Sequence, residues 1–506
     1  MTTVVAARLP APATNPRRRR RFGRTAVLAA CAALGAGCFP STPGVDGVAG
    51  TPPAANVPWS PPTTTAGTAP APAPSFAIPP DLAERVEHLS LADVVDVALR
   101  FNTLTAASWA SARAAAASYG AARGQYYPTI ALGASATSEQ PVFAPNIKAA
   151  TYRDITPAAS LSWLLLDFGS RSGAIGEARE ALVAADWTHN ATIQSVVLAV
   201  ETSYFTYVAT KALLSAQETT LKEAQTNLEA AQERHRVGVA TIADVLQAQT
   251  AVSEAQLALE STQGAIETTR GALALSMGLP ANLPYDIAAA APAPPPLGIT
   301  DSVNALIDRA LQARPDLMAA RAQARAAAAR VTATRGAALP SLVLSGNGER
   351  VTFLNPTNSV NGYAATLALQ IPLFSGWSQI YNVRAAAASA QAAQQQESLL
   401  EQEVTYQVFV SFYALRTATQ QARTSADLMA SATQSEAVAL GRYRAGAGSL
   451  LDLLTAQSAL AAARAQDIQA RFSWYTAAAQ LAHDAGILRL DGSAPLHVQT
   501  DTSTVR

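Results

Sequence analysis

The sequence predicts an α+β membrane protein built as an internal tandem repeat, with four β-strands and two long α-helical coiled-coil hairpins in each chain. Three observations carry this. A stretch from Arg234 to Gln249 recurs from Arg442 to Gln457, offset by 208 residues, with Arg, Arg, Gly, Asp, Leu, Ala and Gln coincident and no gap. Proline-free segments of 67 residues, 170–236 and 378–444, run into the two copies. Before each of them the hydrophobic period changes to two, the mark of strands.

Each copied stretch reads as a helix–turn–helix elbow. A helix ends at Gly238 or Gly446, where the missing Cβ permits a left-handed residue. Thr241 or Ser449 then caps a new helix carrying an acid, Asp244 or Asp452, in its first turn. Arg234, Arg236, Arg442 and Arg444 suit the negative ends of the incoming helices.

The formal net charge of zero conceals an asymmetry. Seven of the 36 basic residues precede residue 38 and no acid does, so the remainder holds 29 basic against 36 acidic residues, a net of −7. With its one basic run at the terminus, the chain does not read as a nucleic-acid binder. Arg17 to Arg24 and the Ala-rich apolar run 25–37, too short to cross a bilayer, form a signal segment. It ends at Leu34-Gly35-Ala36-Gly37-Cys38, which resembles a bacterial lipoprotein signal and marks Cys38 for lipid attachment; ordinary signal-peptidase cleavage nearby is the alternative. Cys31 lies within the segment removed, so no disulfide framework or cysteine metal site is expected.

In order, residues 1–37 read as a lipoprotein-type signal peptide and 38–87 as a Pro/Ala/Thr-rich tether. Residues 88–290 form the first structural repeat, 291–300 a Pro-rich linker, 301–487 the second repeat and 488–506 a C-terminal tail. Each repeat opens with a short amphipathic helix, Leu91 to Leu99 and about Asp301 to Leu311. A longer helix follows, capped by Asn102 in the first repeat and begun by Pro315 in the second. Strand patterns come next. Ile130, Leu132 and Ala134 alternate with small or polar residues, a loop covers Gln140 to Asn146, and then Leu161, Trp163 and Leu165 oppose Ser160 and Ser162. In the second repeat Leu367, Leu369, Ile371 and Leu373 oppose Thr366, Ala368 and Gln370. Apolar on one face and small polar on the other is how a membrane barrel strand reads. As a helix, 67 residues extend about 100 Å, which requires a companion alongside. Val245, Val252, Leu259, Ile266 and Leu273, seven residues apart, supply a coiled-coil seam on the return helix.

Four strands cannot close a barrel, since the smallest membrane barrels need about eight. An open sheet in hydrocarbon leaves edge N–H and C=O groups unpaired at several kcal/mol each. Several chains must therefore share one wall.

The duplicated order of strands and long helices, with two Arg-x-Arg-x-Gly elbows each running into Asp, Leu, Ala and Gln, resembles the TolC family of outer-membrane efflux proteins over about residues 88–487. The lipoprotein subgroup of tripartite multidrug efflux systems is the most similar. The resemblance implies a homotrimer whose strands form a shared twelve-stranded β-barrel in outer-membrane lipid, above a periplasmic helical tunnel. Its partners would be a periplasmic adaptor (membrane fusion) protein and an inner-membrane pump. Val237, Gly238, Val239, Ala445, Gly446 and Ala447 fall where family elbows meet the adaptor. Asp452 falls on an acidic ring that narrows the mouth, and Tyr443 on an aromatic that holds the inner hairpin shut. Asp244 is the matching acid of the first elbow. For both acids helix capping is the competing role. Gly448 and Thr455 stand where well-known members carry Arg and a second acid, so a salt-bridged latch of that type is not expected.

The five histidines are scattered, and no His-Glu-x-x-His, Gly-x-Ser-x-Gly or phosphate-loop motif occurs. Catalysis, metals and cofactors are accordingly not predicted. A passive exit duct for small molecules and drugs, gated at its tip by the adaptor, is the resulting expectation. An outer-membrane channel for type I protein secretion, a non-porous periplasmic coiled-coil scaffold and a lipid-anchored hydrolase are its rivals.

Overall fold

The computed structural model describes residues 57–59, 88–144, 147–148, 150–287 and 302–488. Cys38, the signal segment, the linker 291–300 and all of the tail but Leu488 lie outside the described residues. The first half contains α1 (Leu91–Phe101), α2 (Thr103–Gly124), β1 (Thr129–Glu139), β2 (Val142–Ala144), β3 (Ile147–Lys148), β4 (Tyr152–Leu166), α3 (Ser170–Arg236) and α4 (Ile242–Ser276). The second contains α5 (Val303–Ala313), α6 (Pro315–Gly336), β5 (Ser341–Leu354), β6 (Thr357–Gln370), α7 (Ser378–Arg444) and α8 (Leu450–Asp484).

The duplication holds helix by helix. α1 and α5 have 11 residues each, α2 and α6 have 22, α3 and α7 have 67, and α4 and α8 have 35. The helix starts differ in chemistry. Asn102 caps α2 through its side chain, which accepts from the Leu104 amide, whereas Arg314 makes no side-chain cap and α6 begins on Pro315. Within the expected loop at 140–146 lies β2, which pairs antiparallel with β3 just beyond it. Strand β6 ends at Gln370, so Ile371 and Leu373 continue the apolar alternation beyond the ladder.

The principal sheet is antiparallel, in the order β1-β4-β5-β6, which leaves β1 and β6 as open edges. The register of β5 on β6 runs unbroken through Gly346 and Gly348, and the one irregularity of the β4–β5 pair lies between Leu164 and Leu166.

Two equivalent cores lie partway down the helices. Val94, Ala98, Val196 and Val200 belong to the first, and their counterparts Leu306, Ala310, Val404 and Val408 to the second. Nearer the sheet, α3 packs closely on α6 because two glycines lie at the contact. A Cβ on Gly173 would collide with the Ala333 amide nitrogen, and one on Gly336 with that of Ser170. Arg171, almost fully buried, ties strand to helix: it pairs with Asp167 at 3.3 Å and donates to the carbonyls of Gln125 and Leu165.

Candidate functional site: the sheet faces and the hairpin tips

Register turns the sequence alternation into rows that cross the sheet. Thr129 pairs with Ser162, Ser162 with Ser345, and Ser345 with Thr366, so one polar row spans all four strands. Neighbouring positions point to the other face, where Trp163, Leu344 and Leu367 form one apolar row and Ile130 with Leu161 begins the next. Ile130, Leu132, Leu367 and Leu369 are all exposed in the single chain. Over these rows the sheet is apolar on one side and small and polar on the other, and among the described residues neither edge has a strand beside it.

At the opposite end of the helices the two elbows are built alike. The Gly238 φ is +79° and the Gly446 φ is +71°. The amide of Val239 donates to the Arg234 carbonyl and that of Gly238 to His235, at 2.9 and 3.0 Å; Ala447 to Arg442 and Gly446 to Tyr443 repeat this at 2.9 and 3.2 Å. This is a Schellman closure, in which the left-handed glycine lets two amides satisfy the last carbonyls of the helix. Two residues on, a capping box opens the return helix. Thr241 accepts from the Asp244 amide while Asp244 accepts from the Thr241 amide, and Ser449 with Asp452 does the same. Hydrogen bonds from the Ser449 side chain and then its backbone hold the Asp452 carboxyl below the usual carboxylate range. Capping is therefore a role that both acids fill in the single chain.

The six predicted tip residues, Val237, Gly238, Val239, Ala445, Gly446 and Ala447, are all exposed. Val239 is 73% exposed, a large apolar side chain left mostly open among the described residues. Tyr443 differs. It is 7% exposed and packs in a small core with Ala231, Val245, Ala248, Leu450 and Leu453, which joins the two hairpins at their tips.

Side-chain pairings that the sequence pattern does not record tie one hairpin to the other. The Arg234 guanidinium lies 4.2 Å from the Tyr443 ring centroid and donates to the Tyr443 carbonyl at 2.9 Å. Asn227 donates to the Gln457 side chain at 2.5 Å. Arg464 holds Glu223 through two bonds of 2.9 and 3.0 Å, a bidentate pair. Together they fasten the first hairpin to the second along one seam at the tip. A polar Asn at a position that buries in a coiled coil was the available signal for Asn227, while nothing local marks Glu223 or Arg464. Among the described residues no cluster of three or more His, Cys, Asp or Glu is placed to hold a metal ion.

Comparison with known proteins agrees with this architecture. The chain is 32% identical to Protein CyaE of Bordetella pertussis over 448 residues, covering 84% of this chain and 90% of that protein. It is 29% identical over 184 residues to the probable efflux pump outer membrane protein TtgC of Pseudomonas putida, 36% of this chain and 37% of the relative. Among solved structures, the outer-membrane channel OprN superposes with a TM-score of 0.71 at 19% identity, covering 79% of this chain and 90% of OprN. The outer membrane protein VceC of Vibrio cholerae gives 0.70 at 20%, covering 78% and 96%. At these identities the structures speak for the fold: a four-stranded sheet per chain, which in such channels closes as a trimeric β-barrel above a helical tunnel. Residues 94–279 and 306–486 both match one family, so the duplicated halves are two copies of its unit, and the chain belongs to the outer membrane efflux protein family.

Proposed function

We propose that three copies of this chain close a twelve-stranded barrel and form the exit duct of a tripartite efflux system, passing small molecules and drugs across the outer membrane without chemistry of their own. The observation that carries this reading is the polar row Thr129–Ser162–Ser345–Thr366 beside the apolar row Trp163–Leu344–Leu367 on a sheet with two open edges. Edge pairing between copies satisfies the ladder, the apolar face meets lipid and the Ser/Thr face meets water. Cys38 is the lipid attachment point in this reading. The exposed tips at Val237–Val239 and Ala445–Ala447 receive a periplasmic adaptor that links the duct to an inner-membrane pump. Tyr443 and Asp452, with Asp244, form the gate, which opens when adaptor binding loosens the seam between the hairpins. The efflux cargo draws on the TtgC likeness, which spans about a third of the chain.

The test has two parts. Cysteine pairs placed on β1 and β6 should cross-link different copies into covalent trimers, and the purified protein should conduct ions across planar bilayers. A monomer in detergent that gives no conductance refutes the duct. Cargo is read separately in a host lacking its own channel, supplied with either a drug pump or a protein exporter. Restored drug resistance supports efflux, whereas restored protein release alone moves the assignment to type I secretion.

A further inference from the structure

A short piece of the N-terminal segment lies on α3, and its contacts are specific. Asn190 grips Trp59 by both backbone groups. The Trp59 amide donates to the Asn190 side-chain oxygen at 2.6 Å, and the Asn190 side-chain nitrogen donates to the Trp59 carbonyl at 2.9 Å. Such two-point pairing replaces the hydrogen bonds that a neighbouring strand would give an extended peptide. The Trp59 indole stands edge-on to Trp187, with centroids 4.7 Å apart and planes at 81°. Two residues back, the Val57 backbone faces His189, whose Nδ1 meets the Ser108 hydroxyl at 2.8 Å. Trp59 is 7% exposed, Asn190 8% and His189 0%.

The tandem repeat supplies an internal control. At the 208-residue offset, Trp187, His189 and Asn190 correspond to Gln395, Glu397 and Ser398, and at the 212-residue offset Ser108 corresponds to Ala320. Both halves have the same helices at the same lengths, so the fold does not demand this set. In the second half Glu397 pairs instead with Arg321, and the Ser398 side chain is too short to reach two backbone groups at once. The indole, the imidazole and the carboxamide occur together only in the half that receives the N-terminal segment.

We propose that Ser108, Trp187, His189 and Asn190 form a peptide-binding seat whose occupant is Val57-Pro58-Trp59 of the same chain, fastening the N-terminal segment to the helical trunk. Pro58 suits the site, because its ring restricts the backbone and lowers the entropy lost on docking. The seat lies 20 residues into α3, about 30 Å along the helix from its strand junction. The 19 residue-to-residue steps from Cys38 to Val57 span at most about 65 Å when fully extended. Where Cys38 carries lipid, as proposed above, the seat divides the tether into two spans, 38–56 and 60–87.

The experiment uses the full mature chain in detergent. Amide exchange followed by mass spectrometry should show a protected amide at Trp59 in the wild-type protein. Chymotrypsin should cut after Trp59 slowly, and at least tenfold faster in Asn190→Leu, which keeps the side-chain volume and removes both hydrogen-bonding groups. Both results should persist in Cys38→Ser, which separates the seat from the lipid reading. A Trp59 amide that exchanges as in a free peptide overturns the proposal, whatever the variant does. Equal cleavage in wild type and an assembled Asn190→Leu also overturns it.

Discussion

Arg234 of the first hairpin covers the ring of Tyr443 in the second and hydrogen-bonds the carbonyl of the same residue, so a single side chain holds both the face and the backbone of its partner. Cation–π contacts contribute about 0.5–2 kcal/mol, and a hydrogen bond from a charged donor about 1.5–3. Their loss at a half-buried site is enough to shift a two-state tip roughly tenfold or more. Arg234→Ala should raise single-channel conductance in planar bilayers relative to wild type. Arg236→Ala, whose guanidinium pairs with Glu233 on its own helix, should leave it unchanged. Equal conductance for Arg234→Ala and wild type would remove this contact from the gate.

The Glu223–Arg464 pair lies further along the same seam and is partly exposed, at 31% and 19%. Partial screening limits its worth to about 1 kcal/mol. If the seam gates the duct as proposed, Glu223→Arg should loosen the tip and raise conductance, because two cations then face each other. Adding Arg464→Glu should return it toward wild type. Should the double variant behave like the sum of the two single ones, the pair is not coupled.

Gly173 and Gly336 set how closely α3 and α6 approach. Alanine at either meets backbone rather than a movable side chain, and overpacking of this kind costs typically about 1–3 kcal/mol and sometimes more. Each Gly→Ala variant should lower the melting temperature of the purified assembly by several degrees. Gly124→Ala, in open space within the chain, is the comparison. A melting temperature unchanged in Gly173→Ala would show that the crossing is looser than described.

Asp186 is completely buried on α3, and neither carboxylate oxygen finds a protein partner among the described residues. Burial pushes its pKa up to about 8. The unfolded chain loses this proton near the ordinary value of 3.8, so between roughly pH 4 and 8 the folded state holds a proton that the unfolded state does not. Stability must therefore fall as pH rises through that window. Asp186→Asn removes this dependence and should stabilise by about 4 kcal/mol at pH 7, with about 1.36 kcal/mol per pKa unit as the scale. Thermal melts should show the variant's advantage growing from about pH 5 to pH 8. Glu201, raised to about 7 for the same reason, leaves a residual slope. An advantage that is constant with pH would mean the carboxylate is ionised in the fold.

Much of this molecule is legible because it is written twice. The bounds of α3 and α7 can be read from proline-free runs between a strand pattern and a glycine, and both lengths agree with the structure. The elbows are equally open, since Schellman closures and capping boxes are local and Gly238, Thr241 and Asp244 carry their signal within a few residues. Contacts between distant segments are not. Arg234 and Tyr443 are 209 residues apart, and Asn190 and Trp59 are 131 apart. No periodicity records which surface a side chain will meet once two helices have chosen a face. Resemblance points to Tyr443, but the arginine that covers it can come only from coordinates.

The matched halves have a consequence for how such a molecule changes over time. Three copies around an axis present six near-identical staves, alternating between the two halves of the gene. A substitution touches every second stave and leaves the others as they were. The bore can be retuned by alternate positions while the unaltered staves preserve its circumference.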